Sequence, residues 1–480
     1  MSKKPFYITT TLPYVNSDPH VGFAMEIIRA DVIARHRALT GHEVFFNTGT
    51  DEHGVKIYQK AFGEGENTQK FVDRYVEKFK NLKDILGLSQ DIHFIRTTDP
   101  HHISAAQEFW RRCDKAGYIY KKNYKTKYCT GCELEKTDTE LENGRCIIHP
   151  TLDLLIIEEE NYFFRFSLFG KRLLDLYEKT PDFVVPNSRL NEIRAFVERG
   201  LEDFSISRLA SKMPWGIAVP NDADHVMYVW FDALVNYIST LGWPNDTANF
   251  EKFWANGTPV QYCGKDNLRQ QAAMWQAMLM AVGLPNSRHV VIDGFITGEG
   301  GLKMSKTLGN TVEPIDVVKE YDTDALRYFV CRELSPFEDG AFSLEKFKEA
   351  YNANLANGLG NLASRTLKMV ADNTVTIDWK SVEDISNAVY SSALESFNIK
   401  AACDEIWKLI QQTDKLIQDG QPFKVVKTDP EKGKEMIQAL GKNLYIIARM
   451  LEPVLPSTAE TIKKLIKEGK TPESPLFMRK

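Results

Sequence analysis

The spacing of apolar and polar residues predicts a strand–helix–strand unit at the start of the chain. The segment KPFYITTTLPYVN is rich in β-forming residues and breaks at Pro13, which predicts a first strand from about Pro5 to Thr11. Apolar residues then recur at helical spacing, which predicts a helix from about Val21 to Thr40. A second strand follows in HEVFFNTGTDEHG. Such a unit is typical of a parallel, doubly wound α/β sheet.

Later segments predict the rest of the architecture. Three stretches, 226–237, 259–267 and 289–297, each run from β-rich into polar residues, and we interpret them as the second half of the sheet. Between the two halves, a turn-rich region with cysteines from about Tyr118 to Asp224 indicates an inserted domain. After AFSLEKFKE, long amphipathic patterns predict an antiparallel helical bundle that continues to the C-terminus.

Composition narrows the classes of protein. A chain of 480 residues with 43% hydrophobic and 26% charged residues is typical of a globular protein of several domains. The start, MSKKPFYITT, resembles neither a signal peptide nor a transit peptide, so we expect a cytoplasmic location. Seven cysteines in so long a chain argue against a disulfide framework. The longest apolar stretch, which begins at Ala272, is too short to span a bilayer and predicts a buried helix rather than a membrane role.

Three of the cysteines cluster with a histidine. Cys129 and Cys132 form a CxxC pair, and Cys146 and His149 form a CxxH pair soon after. Three thiolates and an imidazole make one tetrahedral zinc shell. The alternative is a redox CxxC or incidental cysteines, but a redox motif needs no third cysteine and histidine at matching spacing. With four protein ligands, the predicted zinc ion is structural rather than catalytic.

Two further segments suggest phosphate binding. In SDPHVGFAME, the N–H groups of a starting helix and His20 could contact a phosphate, and in GGLKMSKTLGN, Lys303 and Lys306 could neutralise one. Each segment alone is weak evidence, because an HxG turn or a solvated charged turn is common. Since ligands bind at the carboxyl ends of parallel strands, Asp51 and His20 are expected in one crevice.

These motifs together resemble those of class I aminoacyl-tRNA synthetases, and among them the methionyl-tRNA synthetases. The stretches LPYVN, TGTDEHG, YVWFDAL, GKDN, KMSKTLGN and NLASR stand in the order and spacing of that family over nearly the whole chain. The resemblance implies a Rossmann-like doubly wound parallel sheet, interrupted by a zinc-bearing insertion and followed by an all-α helical-bundle anticodon-binding domain.

With the patterns above, the resemblance divides the chain into five regions. They are the first half of a catalytic domain (1–117), an inserted connective domain with a zinc knuckle (118–224), the second catalytic half (225–297), a linking domain with the KMSK loop (298–347) and an α-helical anticodon-binding domain (348–480). A monomer is expected.

The resemblance also implies an activity. The family activates methionine with ATP to methionyl-adenylate, releases pyrophosphate, and transfers methionine to the 3′-terminal adenosine of tRNA(Met). Matching positions suggest His20, Lys303 and Lys306 as catalytic residues. The positions that would bind ATP, which enters with magnesium as a substrate, are His20, Gly22, Phe23, Gly294, Lys303, Ser305 and Lys306.

Two more sets of residues are carried over from the family. The positions that would bind methionine are Leu12, Tyr14, Asp51, Trp230, Ala233, Leu234, Tyr237, Gln271 and Trp275. The positions that would read the anticodon are Asn361, Arg365 and Phe423. Four positions depart from the family pattern: Phe23, Gln271 and Asp293 stand where histidines are usual, and Phe423 takes the place of a tryptophan.

Other functions remain to be weighed against this one. Leucyl, isoleucyl and valyl relatives carry a much larger editing insertion, and a cysteinyl enzyme would use zinc to bind its substrate. Phe23 favours a synthetase-like tRNA-binding or regulatory protein without catalysis. A zinc-dependent nucleotidyltransferase is disfavoured by the helical C-terminus that carries Asn361 and Arg365.

Overall fold

The chain begins with the predicted strand–helix–strand unit. The computed structural model describes residues 3–132, 134–136, 138–298, 312–377, 379 and 387–480. The first strand covers Phe6–Thr10 and the first helix Val21–Leu39, each within one residue of the predicted ends. All five residues of that strand are buried, as expected for a central strand covered on both faces.

The strands, in chain order, are β1 (Phe6–Thr10), β2 (Val44–Thr50), β3 (His93–Arg96), β4 (Ile119–Cys129), β5 (Leu134–Lys136), β6 (Leu141–Glu142), β7 (Arg145–Cys146), β8 (Leu155–Phe164), β9 (Val184–Val185), β10 (Phe204–Ser205), β11 (Ser207–Leu209), β12 (Ala218–Val219), β13 (Asp222–Met227), β14 (Thr258–Gly264), β15 (His289–Asp293), β16 (Ile296–Thr297) and β17 (Gly340–Ala341). The central sheet is parallel, with strand order β3-β2-β1-β14-β15-β9.

The α-helices are α1 (Val21–Leu39), α2 (Val55–Gly63), α3 (Thr68–Lys80), α4 (Leu82–Ile85), α5 (Pro100–Lys115), α6 (Gly170–Lys179), α7 (Asn187–Glu198), α8 (Val229–Ala233), α9 (Asn236–Ser239), α10 (Trp275–Ala281), α11 (Pro314–Tyr321), α12 (Thr323–Tyr328), α13 (Leu344–Ala350), α14 (Asn361–Asp372), α15 (Ala388–Glu395), α16 (Ile399–Gly420), α17 (Pro422–Thr428), α18 (Pro430–Leu451) and α19 (Pro456–Glu468). Shorter or wider helical turns cover Asp138–Glu140, Phe166–Phe169, Phe250–Ala255, Lys265–Asn267, Gln270–Met274, Phe329–Glu333 and Tyr351–Gly360.

The region between the two halves of the sheet forms antiparallel sheets of its own. One has the order β10-β8-β4-β5, a second has the order β11-β13-β12, and β6 pairs with β7. The helices α14–α19 then pack against one another as the C-terminal bundle, as the amphipathic patterns predicted. In the described part of the chain, no helix is both long and apolar enough to cross a membrane.

The prediction that residues 226–237 add a strand to the central sheet is wrong. Val226 and Met227 end β13, which pairs within the insertion, and the residues after them form the short helices α8 and α9. Almost every side chain there is buried, so the segment shows no alternation of apolar and polar residues. An apolar run of this kind does not distinguish a buried strand from a buried helix.

The other two segments do contribute strands to the sheet, as β14 and β15. The sixth strand, β9, comes from inside the predicted insertion and pairs with β15 through Val184 and Val185. A pair of valines carries too little pattern to predict a strand.

Two buried arginines join the sheet domain to the rest of the chain. Arg29 on α1 donates hydrogen bonds to the carbonyls of Val330 and Leu334, at 2.8 and 3.2 Å. Arg327 on α12 donates to Asp31 on α1 at 2.8 Å and to the carbonyl of Val454, between α18 and α19, at 2.8 Å. The helix α1 is therefore tied both to α12 and to the C-terminal bundle.

Candidate active site

A cavity of about 850 Å³ lies at the carboxyl ends of the central strands. The chain lines it directly after β1, β2, β14 and β15, which is where a parallel sheet binds its ligands. The cavity brings together these predicted positions: Leu12, Tyr14, His20, Gly22, Phe23, Asp51, Trp230, Ala233, Leu234, Tyr237, Gln271 and Gly294. Trp275 does not line it, since this side chain is fully buried and its ring meets the Tyr237 ring edge-on, 6.0 Å between centroids.

His20 caps the first helix. Its backbone is extended, and its Nδ1 accepts a hydrogen bond from the Gly22 N–H at 3.1 Å. A ring nitrogen that accepts a hydrogen bond carries no proton, so the neutral imidazole carries its proton on Nε2. Gly22 leaves room for this contact, because a Cβ there would lie only 3.0 Å from the His20 ring. The cap therefore makes Nε2 the donor nitrogen of His20.

The next position, Phe23, lies both on the cavity wall and between two helices. Its ring meets the Phe79 ring of α3 edge-on, with centroids 5.7 Å apart. The phenyl group thus packs into the helix interface, where an imidazole would leave a polar group half buried.

Asp51 is held at the cavity by backbone contacts with the segment after β1. Its N–H donates to the Pro13 carbonyl at 3.0 Å, and its carbonyl accepts from the Val15 N–H at 3.4 Å. The residue is buried, with 3% of its surface exposed. A buried carboxylate on the wall of a cavity is suited to bind a cation.

Gln271 belongs to a chain of buried hydrogen bonds. Its Nε2 donates to the Tyr237 hydroxyl at 2.6 Å, and its Oε1 accepts from Gln261. The Tyr237 carbonyl accepts from the Tyr7 hydroxyl at 2.9 Å. These hydrogen bonds hold Tyr237, on the short helix α9, at the cavity wall.

Asp293, the third departure from the family pattern, is an internal ion-pair partner. Its Oδ1 lies 3.2 Å from Arg29 Nη1, and both side chains are buried. Burial raises the pKa of Asp293 to about 6, although Arg29 opposes the shift. Beside it, Gly294 must be a glycine, because a Cβ there would lie 2.1 Å from the Glu338 carbonyl oxygen.

Among the cavity residues that the sequence did not predict, Glu26 is a buried acid. Glu26 lies on α1, lines the cavity, and accepts hydrogen bonds from the Thr11 N–H at 2.8 Å and the Thr11 hydroxyl at 2.5 Å. Burial raises its pKa to about 8, so its carboxyl group is mostly protonated at neutral pH. The available signal in the sequence was an acidic residue directly before two apolar ones, Ile27 and Ile28, in a helix with a buried face.

The four predicted metal ligands come together in the knuckle, which we define as residues 129–149. The ligand atoms of Cys129, Cys132, Cys146 and His149 all lie within 4.8 Å of one another. Cys132 Sγ lies 3.5 Å from Cys146 Sγ and 3.2 Å from His149 Nδ1. Ligands around a tetrahedral zinc ion would stand roughly 3.6–3.8 Å apart, so this donor set fits the ion.

The knuckle also forms part of the cavity wall, since Cys132 and His149 line it. Gly131 leaves room for the His149 ring, because a Cβ there would lie 2.4 Å from it. The Gly131 carbonyl accepts a hydrogen bond from Lys56 of α2 at 2.9 Å. A metal ion in the knuckle would therefore stabilise one wall of the cavity.

The predicted anticodon residues lie in the C-terminal bundle. Asn361 is exposed at the first position of α14, and Arg365 one turn later donates to Asp414 of α16 at 2.8 Å. Phe423 is 42% exposed on α17, the helix that follows α16.

Lys303, Ser305 and Lys306 lie outside the described residues. The chain returns at Val312, whose carbonyl accepts a hydrogen bond from the Val21 N–H at 3.1 Å. Val312, the first described residue after that segment, is thus attached to the first residue of α1, next to His20.

Comparison with known proteins gives the family. The model of the family described as "tRNA synthetases class I (M)" matches residues 6–139 and 129–367. The model described as "Anticodon binding domain of methionyl tRNA ligase" matches residues 376–475. The chain belongs to the class I methionyl-tRNA synthetase family.

Two relatives and one solved structure from this family match along nearly their full length. The methionine–tRNA ligase of Rhizobium meliloti is 39% identical over 96% of this chain and 92% of its own. That of Rickettsia bellii is 39% identical over 98% of this chain and 94% of its own. The Mycobacterium tuberculosis methionyl-tRNA synthetase in complex with methionyl-adenylate is 35% identical, with a TM-score of 0.89 over 96% of this chain and 93% of that one. The fold predicted from the resemblance is confirmed.

Proposed function

We propose that this chain is a methionine–tRNA ligase. It joins methionine to ATP as methionyl-adenylate, releases pyrophosphate, and transfers the methionyl group to the 3′-terminal adenosine of tRNA(Met). The observation that carries the proposal is the single cavity that places Asp51, the Trp230 and Tyr237 rings and His20 together. The family membership and the similarity to a synthetase bound to methionyl-adenylate support it.

In the first step, a carboxylate oxygen of methionine attacks the α-phosphorus of ATP. A new P–O bond forms, the bond to the bridging oxygen breaks, and pyrophosphate leaves with that oxygen. Negative charge shifts onto phosphate oxygens, so positioned donors lower the barrier. The His20 Nε2–H is one such donor, and we assign Lys303 and Lys306 to neutralise the leaving pyrophosphate together with the magnesium of ATP.

Methionine binds through both of its ends. We assign Asp51 to the ammonium group, since it is a buried carboxylate on the cavity wall. The thioether lies against Trp230, Tyr237, Leu12 and Leu234, where a polarisable sulfur gains favourable contacts with aromatic rings. Tyr14, Ala233 and Gln271 complete this part of the wall.

In the second step, a ribose hydroxyl of the terminal adenosine attacks the carbonyl carbon of the adenylate, and AMP leaves. We assign Asn361, Arg365 and Phe423 to the anticodon, because an amide, a guanidinium and an exposed ring suit unstacked bases. The knuckle holds a zinc ion in this proposal, bound by three thiolates and one imidazole.

The test is methionine-dependent exchange of pyrophosphate into ATP. The purified protein should catalyse exchange only when methionine is present, and Asp51→Ala should raise the KM for methionine far more than the KM for ATP. Absence of exchange at every methionine concentration, with tRNA binding intact, would instead identify a tRNA-binding protein without catalysis.

A second measurement separates the tRNA-dependent step. Arg365→Ala should lower aminoacylation of tRNA(Met) at limiting tRNA while pyrophosphate exchange stays at the wild-type rate. Equal loss of both reactions would contradict the assignment of Arg365 to the anticodon.

Metal analysis of the purified protein should find one zinc ion per chain, and Cys132→Ser should lose it.

A further inference from the structure

A buried pair outside the cavity joins the two elements that carry the methionine-binding residues. His53 Nδ1 donates to Asp232 Oδ2 at 3.1 Å, although the residues are far apart in the sequence. The side chains are 6% and 0% exposed. Neither residue lines the cavity, so their contact is not explained by the binding of a substrate.

Each partner lies two residues from a cavity residue. Asp232 follows Trp230 on α8, and positions two apart on a helix point to nearly opposite sides. Trp230 thus faces the cavity while Asp232 faces the loop of residues 51–54. On that loop, Asp51 faces the cavity and His53 faces α8.

Other contacts hold the 51–54 loop from its remaining sides. The Glu52 carboxylate accepts two hydrogen bonds from Arg96, both at 2.8 Å, and the Glu52 N–H donates to Thr97 at 2.9 Å. The Trp215 indole N–H donates to the Glu52 carbonyl at 2.5 Å, and the Gly54 N–H donates to the Trp215 carbonyl at 3.4 Å. These contacts attach the loop to its neighbours in the sheet and the insertion, whereas His53 attaches it to α8.

We propose that His53 and Asp232 are positioning residues that hold Asp51 and Trp230 at the separation that methionine requires. The inference rests on the proposed function and names two residues that act on the same site without touching the substrate. Since the ammonium and the thioether are bound by different elements, a shift of either element weakens methionine binding and leaves the nucleotide end of the cavity in place.

The experiment compares the two Michaelis constants in pyrophosphate exchange. Asp232→Ala should raise the KM for methionine roughly tenfold or more and change the KM for ATP less than about twofold. Asp232→Asn, which keeps an oxygen to accept the His53 N–H, should restore most of the affinity. Methionine titration followed by tryptophan fluorescence gives an independent reading, because Trp230 lies at the site.

His36→Gln is the matched control. His36 is also a buried histidine, but it lies in the last turn of α1, where its ring meets the Tyr390 ring edge-on, 6.1 Å between centroids. If simple loss of stability explained the effect, His36→Gln would raise the KM for methionine as much at an equal drop in Tm. The proposal predicts that it does not.

A double-mutant cycle keeps the test decisive if Asp232→Ala fails to fold. In His53→Gln, Asp232→Leu and the double variant, the effects on methionine affinity should be non-additive if the pair acts as a unit, because leucine fills the space but accepts no hydrogen bond. Additive effects, or equal increases in both Michaelis constants, would overturn the inference. Exchange by the wild-type protein tests the proposed function separately, so the two failures are distinguishable.

Discussion

In the proposed mechanism His20 has two tasks at the level of a single residue, and its two ring nitrogens divide them. Nδ1 caps α1 through the Gly22 N–H, and this contact leaves the proton on Nε2. A substituted residue that only caps the helix would keep the stability of the protein but would lack the N–H donor that Nε2 provides. The two tasks can therefore be separated by substitution.

We predict that His20→Asn lowers the rate of adenylate formation about a hundredfold, since one donor to the transition state is lost. Its thermal stability should stay within about 0.5 kcal/mol of the wild type, because asparagine is a good N-cap. His20→Ala should lose both the rate and about 1 kcal/mol of stability. Pyrophosphate exchange and calorimetry check the pair, and equal stability of the two variants would contradict the capping role.

Glu26 predicts a dependence of stability on pH. Its pKa is about 8 in the folded chain and 4.5 as an ordinary glutamate. The folded state binds the proton more tightly, so the contribution of Glu26 is fully present below pH 4.5 and is lost as the pH rises through 8.

Glu26→Gln should therefore lose less stability than the wild type between pH 5 and about 8.5. The difference should be on the order of a few kcal/mol, and thermal unfolding across this range measures it. Glutamine keeps the Oε1 acceptor for Thr11, so the variant should fold. Parallel curves for the two proteins would show that Glu26 is charged in the native state.

At the level of elements, the knuckle shows how one glycine makes room for a proposed metal ligand. Gly131 lies between Cys129 and Cys132, and the His149 ring packs where its Cβ would be. Its carbonyl also anchors the knuckle to α2 through Lys56. The geometry of the ligands and the position of the cavity wall thus depend on the same residue.

Gly131→Ala should displace His149, weaken metal binding by at least tenfold and raise the Michaelis constants of the substrates. Gly63→Ala on α2 is the control, because a Cβ there meets nothing within 4 Å. Zinc content after dialysis against a chelator distinguishes the two variants. Retention of zinc by Gly131→Ala would contradict the proposed packing of the knuckle.

The sequence predicted some helices and strands, with their ends, much better than others. The strand β1 and the helix α1 were predicted within one residue, because their ends carry Pro13 and the glycine after the helix. The segment 226–237 was misassigned since it is buried on all sides and has no period. The two-residue strand β9 depends wholly on its neighbour β15.

At the level of the whole molecule, Arg327 links three parts of the chain. Its fully buried guanidinium donates to Asp31, to the Leu86 carbonyl at 3.1 Å and to the carbonyls of Pro453 and Val454. Removing one partner of a buried ion pair leaves the other without compensation. The orientation of the bundle relative to α1 depends on this side chain.

Arg327→Ala should cost about 3–5 kcal/mol of unfolding free energy, measured in urea, and lower aminoacylation. Arg365→Ala is the matched control, because the Arg365–Asp414 pair is about one-third exposed and should contribute less than about 1 kcal/mol. Equal losses of unfolding free energy in the two variants would contradict the linking role of Arg327.

Long-range pairs limit what a sequence can predict about the site. The cavity positions Asp51, His20 and Trp230 were found because each lies in a recognisable motif. The sequence did not predict the role of Glu26, the Arg29–Asp293 pair or the His53–Asp232 pair. In each case the contact joins separate segments of the chain, and only the fold brings them together.

The hydrogen bond from Val21 to the Val312 carbonyl has a consequence for how the two halves of the chain are held together. Residues 3–298 and 312–480 also meet through β16 and β17, through Arg29 and through Arg327. These contacts join the two parts of the protein independently of the covalent chain between those parts. Two separately expressed fragments with these bounds should assemble into one complex, and the segment that carries Lys303 and Lys306 could then be supplied on either fragment.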